Sequence, residues 1–144
     1  MVHEKQAAVL RLLRENARQS LTGMSRKTNI PLSSVFDIVK SLEHSVIHKH
    51  TSLLDFSKVG MGAHAFLRIK ADDKNKLREF IRAHKNVNTF STLLPHYDFL
   101  VEAVFPDLKE YTLFKESLEQ QGAGVIDENF IVEELKREGF FSAK

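Results

Sequence analysis

The segment LTGMSRKTNIPLSSVFDIVKSL, residues 21–42, contains the pattern of two short helices joined by a tight turn. The first helix is expected over residues 21–28 and the second from Leu32 onward. Between them, Asn29 tolerates left-handed backbone, and Pro31 prevents the first helix from continuing. The second helix has Val35 and Leu42 on an apolar side and polar residues on the other, so the segment predicts a helix-turn-helix unit.

The flanking segments extend this unit into a domain. An amphipathic helix is expected over residues 4–18, and the extended segment VIHKHTSLLD follows at residues 46–55. Three helices followed by an extended segment predict a winged helix-turn-helix domain over residues 1–52. In that fold the helix after the turn lies in the major groove of DNA. A three-helix packing module that binds no nucleic acid fits the same periodicity.

Basic side chains are concentrated at the front of the chain. Eight Lys and Arg residues stand against four acids through residue 50, whereas the remainder holds 13 basic and 15 acidic residues. The N-terminal part of the chain is therefore the part suited to binding a polyanion. Ordinary surface charge on a globular protein is the alternative explanation of this charge distribution.

Candidate DNA contacts lie in and around the third helix. Ser33 and Ser34 can bond phosphates or base edges. Phe36 can touch a thymine methyl group, and Asp37 can accept a hydrogen bond from a cytosine amino group, although Asp37 fits a solvated acid equally well. An acid here predicts modest affinity per monomer and reliance on a dimer. The side chains that can neutralise phosphates are Arg26, Lys27, Lys40 and Lys49.

The back half of the chain has a different pattern. A linker is expected over residues 53–62, and the order strand, helix, strand, strand, helix, strand then predicts a ferredoxin-like βαββαβ domain over residues 63–134. The fold class is therefore α+β. The tail over residues 135–144 ends with an apolar Phe140–Phe141 pair, which fits either a frayed end or docking on a neighbour.

One face of the predicted sheet has no helix to cover it. Some of Phe66, Phe90, Leu100 and Val104 are expected there, and a bare apolar face usually indicates oligomerisation. An RNA-recognition module shares the topology, but FLRIK at residues 66–70 matches its aromatic and basic run poorly. Asp98 and Glu102 are assigned to a solvated or interfacial face rather than to an acid/base pair.

Several classes of function are disfavoured by what the sequence lacks. It contains no Cys and none of the motifs GxxxxGK[ST], HExxH or GxSxG, so no enzyme, cofactor or metal site is expected. It has no run of 18 apolar residues and no apolar core of a signal peptide at MVHEKQ. A soluble, cytoplasmic protein without a membrane partner is expected.

Four stretches, in this order, carry a resemblance to a known protein family: VLRLLRENAR, SLTGMSRKT, KSLEHSVI and HYDFLVEAVF. The sequence resembles the Lrp/AsnC family of leucine-responsive regulatory proteins, and its archaeal members in particular. The resemblance covers nearly the whole chain. It implies a sequence-specific DNA-binding transcription regulator with a C-terminal RAM-type ferredoxin-like domain. It also implies a homodimer or octamer, a pseudo-palindromic double-stranded operator and an amino acid as effector.

Two departures from the family pattern are visible. Ser33, Ser34 and Lys40 match positions at which family members contact DNA, but Phe36, Asp37 and Ile38 stand where many members have polar or basic residues. At the effector site, Tyr97 and Asp98 match the family, but Pro95-His96 replaces a common Gly-Asp pair. Pro removes an N–H, and His removes a negative charge. We therefore predict that amino-acid sensing is weakened, lost or changed to another small molecule. An oligomeric scaffold or co-regulator with weak DNA binding is the alternative function.

Overall fold

The computed structural model describes residues 2–142, and the chain divides into two compact units. The first unit consists of two segments of the chain, one ending at Leu53 and one starting at Lys136. The second unit is the segment Leu54–Leu135 between them in the sequence. Residues 136–142 of the tail thus belong to the same unit as the N-terminal helices. Among residues 2–142, no helix combines the length and the apolar character that crossing a membrane requires.

Three helices form the first unit: α1 (Glu4–Glu15), α2 (Leu21–Thr28) and α3 (Leu32–Ser45). The Ser20 hydroxyl accepts a hydrogen bond from the Gly23 N–H at 3.0 Å and so caps the start of α2. Asn29 ends α2 with a φ of 55°, and Pro31 is the N-cap residue directly before α3. The turn predicted from Asn29 and Pro31 is therefore confirmed.

The three helices enclose an apolar core. Val35 and Leu42 lie on one side of α3 and are buried in this core, so the opposite side of the helix faces outward. Residues 46–55 follow α3 with no strand assigned. The segment predicted as the wing therefore has no β ladder, because the described part of this unit offers no second strand to pair with it. The buried core side chains are Val9, Leu13, Met24, Ile30, Val35 and Leu42.

The second unit begins with a short 3₁₀ turn at Ser57–Val59 and has the predicted βαββαβ order. Its strands pair antiparallel in the order β2-β3-β1-β4. The fold class is confirmed as α+β with a ferredoxin-like second unit. The elements are β1 (Ala63–Ala71), α4 (Lys74–Ala83), β2 (Val87–Thr92), β3 (Phe99–Phe105), α5 (Leu108–Gln120) and β4 (Ala123–Phe130).

The two faces of the sheet differ in what covers them. Leu67, Ile69 and Val101 point towards α4 and α5 and are fully buried. The alternate residues Phe66, Leu100 and Val104 lie on the other face, which we call the open sheet face. Phe90 was expected among the candidates for this face, but it pairs with Val101 and packs against Phe99 on the covered side. A register shift between Val87 and Thr89 resets the alternation of β2.

Local side-chain bonds fix the helix ends of this unit. Asp73 accepts a hydrogen bond from the Lys76 N–H at 3.1 Å, and Asp107 accepts one from the Glu110 N–H at 2.9 Å. Gly122 follows α5 with a φ of 106°, and a Cβ there would lie 3.0 Å from the Asp73 Cβ. Only glycine therefore fits this connection between α5 and β4 without strain.

Candidate functional site

The outward side of α3 forms a continuous exposed surface, which we call the α3 stripe. Its members recur at helical spacing, opposite the buried Val35 and Leu42. The stripe consists of Ser33, Phe36, Asp37, Lys40, Ser41 and His44, all of them exposed. Because a major groove admits an α-helix side-on, a polar stripe of this kind is the geometry that base-reading helices present.

Phe36 is an exception on this polar surface. Its side chain is 51% exposed, and Leu32, one helical turn earlier, is 49% exposed. The Lys40 ammonium lies 6.0 Å from the centre of the Phe36 ring, at the outer limit for a cation–π contact. Two large apolar side chains thus lie on the outside of α3, and a basic group lies beside them.

The structure brings four of the eight sequence-predicted DNA residues together. Ser33, Phe36, Asp37 and Lys40 share the α3 stripe, whereas Ser34 is half-buried beside it. The other three lie on neighbouring segments of the first unit, Arg26 and Lys27 in the last turn of α2 and Lys49 after α3, and all three are exposed. Their roles as DNA contacts stay predictions.

Within the same unit, the Lys27 ammonium already has a partner. It lies 3.0 Å from the side-chain oxygen of Gln19. This contact is exposed, so an ammonium–phosphate contact can replace it at small cost.

The start of α3 presents backbone donors. In the described chain no side chain caps this helix, and the first N–H with an intrahelical acceptor is that of Val35, which donates to the Pro31 carbonyl at 3.0 Å. The N–H groups of Leu32, Ser33 and Ser34 therefore face outward at the positive end of the helix dipole. Such groups can hold phosphate oxygens without a basic side chain.

The predicted effector residues form the loop before β3. The peptide bond between Leu94 and Pro95 is cis, and His96 has a φ of 70°. The Pro95 and His96 side chains are exposed. Tyr97 turns back to the sheet, where its hydroxyl lies 3.4 Å from Asp127 and its ring lies under the Arg68 guanidinium at 4.8 Å.

Asp98 is already engaged within this unit. Its carboxylate lies 2.8 Å from the Lys74 ammonium and accepts the Ala71 N–H at 2.8 Å. The bond from Lys74, followed by that from Ala71, lowers the pKa of Asp98 below its ordinary value. A ligand amino group would have to displace or share these donors. The Tyr97 and Asp98 side chains thus contact the sheet and α4, whereas the Pro95 and His96 side chains do not take part in these contacts.

Sequence reasoning missed a polar cluster on the open sheet face. Glu102 was expected on a solvated or interfacial face, but the residue is only 6% exposed. Its carboxylate lies 2.8 Å from the His64 Nε2 and accepts bonds from the Asn88 amide at 2.8 Å and the Thr89 hydroxyl at 2.7 Å. Period-two alternation could place Glu102 on this face, but the partners depend on strand register, which alternation does not give.

The docking of the tail was also left open by the sequence. The Arg14 guanidinium on α1 donates to the Phe140 carbonyl at 3.1 Å and to the Glu138 carbonyl at 2.9 Å, and it pairs with the Glu138 carboxylate at 3.1 Å. The Arg11 guanidinium lies 5.1 Å from the centre of the Phe141 ring. The Phe140–Phe141 pair was the sequence signal; α1 of the same unit contacts the Phe140 carbonyl and the Phe141 ring, whereas the Phe140 side chain is exposed.

The described residues contain no group of three or more His, Asp or Glu side chains arranged to hold a metal ion.

Comparison with known proteins gives related chains and folds, although no protein-family model matches the chain. An uncharacterized HTH-type transcriptional regulator of Pyrococcus furiosus is 31% identical over 114 residues, which cover 76% of each chain. A transcriptional regulator of Neisseria meningitidis, solved as a complex with L-Met, has a TM-score of 0.85 at 23% identity, over 95% of this chain and 94% of that one. An AsnC family transcriptional regulator of Agrobacterium tumefaciens has a TM-score of 0.83 at 20% identity, over 94% and 93%.

Proposed function

The chain belongs to the Lrp/AsnC family of helix-turn-helix transcriptional regulators, and from this we propose that it is a sequence-specific DNA-binding regulator that is not an enzyme. α3 enters the major groove, and the second unit assembles the chain into a homodimer or a larger oligomer. The cytoplasmic location predicted from the sequence is part of this proposal.

The observation that carries the proposal is the α3 stripe. It follows the tight turn at Asn29, lies opposite the core and begins at free backbone donors. The exposed side chains of Arg26, Lys27 and Lys49 on the neighbouring segments supply the positive charge that the stripe itself lacks. Phosphate contacts from these groups position the helix, while the stripe is free to contact base edges.

Assembly through the second unit is supported by the open sheet face. Phe66, Leu100 and Val104 leave this face partly apolar, and no helix of the second unit, as far as the structure describes it, lies over it. A second copy of the same face would cover these side chains and create a two-fold symmetric dimer. A dimer places two α3 helices on a pseudo-palindromic operator with half-sites about 34 Å apart, one helical turn, or a multiple of that distance.

The loop Pro95–Asp98 is the proposed effector loop, with ordinary amino-acid sensing weakened, lost or changed to another small molecule. The engaged carboxylate of Asp98 supports this, because a ligand amino group would have to displace or share the Lys74 ammonium that is already paired with it. Calorimetric titration with the twenty common amino acids tests it. We expect none of them to bind with micromolar affinity, and one that does would contradict the altered-sensing proposal.

The DNA-binding proposal is tested by selecting sites from random duplexes at near-physiological salt, with light scattering on the same sample. We expect an enriched palindrome and an oligomer. Lys40→Ala should weaken binding, whereas Lys5→Ala on α1 removes the same charge outside the predicted contacts and should not. A clean oligomer that enriches no sequence would instead favour the scaffold or co-regulator function, which the acid Asp37 on the stripe also suits.

A further inference from the structure

Phe36 is the only apolar member of the α3 stripe, and its exposure requires an explanation. We propose that Phe36 reads the C5 methyl group of a thymine in the major groove, with Leu32 beside it, and so determines sequence specificity. This inference rests on the proposed function, because it assigns a base to the same helix that binds DNA.

The fold of the first unit does not account for the position of this side chain. Phe36 is not part of the apolar core, which is filled by Val35 and Leu42 from the same helix. Leu32 and Phe36 are one turn apart and so lie on neighbouring positions of the helix surface. Together they keep an apolar patch in water, and covering it would be favourable.

A thymine methyl is the matching occupant in DNA. Base pairs present hydrogen-bond donors and acceptors along the major groove, and the thymine methyl is the apolar group among them. An aromatic ring can therefore distinguish this methyl group from the polar edges around it. A protein partner would also cover Phe36, but the exposed Arg26, Lys27 and Lys49 of the same unit match the charge of a nucleic acid.

Asp37 directs this part of α3 to the bases rather than to the backbone. It is adjacent to Phe36 and exposed on the same stripe, and its carboxylate would be repelled by phosphates. Base amino groups are the donors in the groove that such an acceptor can meet. The same docking that satisfies Asp37 brings the Phe36 ring to the edges of the bases.

The test uses the full-length protein and the duplex enriched by site selection. Each thymine of one half-site is replaced singly by uracil, which removes only the C5 methyl group, and the dissociation constant is measured for each duplex. We expect about a fourfold loss at one thymine, from the transfer free energy of one methyl group. The loss should be about fifteenfold when both half-sites carry the change.

Variants assign the effect to the ring. Phe36→Ala should bind the thymine and uracil duplexes equally, whereas Phe36→Leu should keep a reduced preference for thymine. Phe140→Ala is the matched control, because it truncates a Phe that is 83% exposed in the same unit but outside α3. It should discriminate like the wild type. Circular dichroism of each variant checks that the helices are intact.

The outcomes separate the two proposals. Specific binding with no thymine that is sensitive to uracil overturns the role of Phe36 and leaves the proposed function standing. Sensitivity that persists in Phe36→Ala assigns the methyl contact to another residue and also overturns it. If no sequence is enriched at all, the proposed function fails and this inference fails with it.

Discussion

The carboxylate of Glu102 lies 2.8 Å from the imidazole Nε2 of His64 on the open sheet face. The two side chains come from the paired central strands β3 and β1, and they are 8% and 12% exposed. Asn88 and Thr89 of β2 complete the set of partners, so one carboxylate connects three strands. A buried acid is tolerated in a partly apolar surface because each donor compensates its loss of water.

Removing the Glu102 carboxylate should destabilise the second unit. Glu102→Ala leaves His64, Asn88 and Thr89 without their shared acceptor, and we expect the free energy of unfolding to fall by about 1–3 kcal/mol. Urea denaturation followed by circular dichroism measures this change. Glu116→Ala on α5 removes an exposed acid and should stay within about 0.5 kcal/mol of the wild type. Equal stability of the two variants would contradict a structural role for the cluster.

His84 should make the stability of the second unit depend on pH. Its ring packs against Phe80, Phe105 and Phe114, and burial, followed by the charge of Lys85, lowers its pKa below the ordinary value. The unfolded state then binds the proton more tightly. This contribution to stability is therefore complete above about pH 6.5 and is lost as the pH falls below that value.

The measurement is the urea midpoint between pH 8 and pH 5. Replacement of His84 by Gln should flatten the decline between these values, whereas replacement of the exposed His44 by Gln should leave it as in the wild type. A His84 variant with an unchanged decline would assign the pH dependence to other groups.

Arg14 should hold the tail on α1. Its three hydrogen bonds to Glu138 and Phe140 are partly exposed, so we expect Arg14→Ala to lower the free energy of unfolding by only about 1 kcal/mol. Limited trypsin digestion is the more sensitive measurement, because Lys136 and Arg137 are cleavage sites within the tail. Cleavage there should be faster in Arg14→Ala than in the wild type or in the control Arg18→Ala. Equal rates would show that Arg14 does not restrain the tail.

Replacement of Asn29, the left-handed residue of the turn, should destabilise the protein less with glycine than with alanine. Asn29 has a φ of 55°, where a Cβ costs about 1–2 kcal/mol unless the side chain is one that suits this region. Asn29→Ala should therefore unfold at lower urea concentration than the wild type, while Asn29→Gly should lie close to it. If both variants were equally destabilised, the Asn29 side chain rather than its backbone conformation would be the important feature.

Arg26 should contribute affinity without specificity. If its exposed guanidinium at the end of α2 neutralises one phosphate, Arg26→Ala should reduce the slope of log affinity against log salt by about 0.9 per monomer. Binding to specific and random duplexes should weaken alike. Arg82→Ala in the second unit removes the same charge from α4 and serves as the control. Loss of affinity for the operator alone would indicate that Arg26 contacts a base.

The order of the elements could be predicted from the sequence because each signal is local. Helical spacing of apolar residues located α1 to α3, and Asn29 with Pro31 located the turn between α2 and α3. Period-two alternation in residues 63–71 predicted β1, which the structure places at Ala63–Ala71. Such features depend on residues within about one or two turns of each other, so reading along the chain is sufficient.

Contacts between distant parts of the chain could not be predicted in this way. Which face Phe90 joins depends on a shift in strand register, and the partners of Glu102 lie up to 38 residues away. The bond between Arg14 and Phe140 joins residues 126 apart. Local propensity does not distinguish among the many partners available at such separations, and they are selected only when the units pack and each buried polar group must find a donor or acceptor.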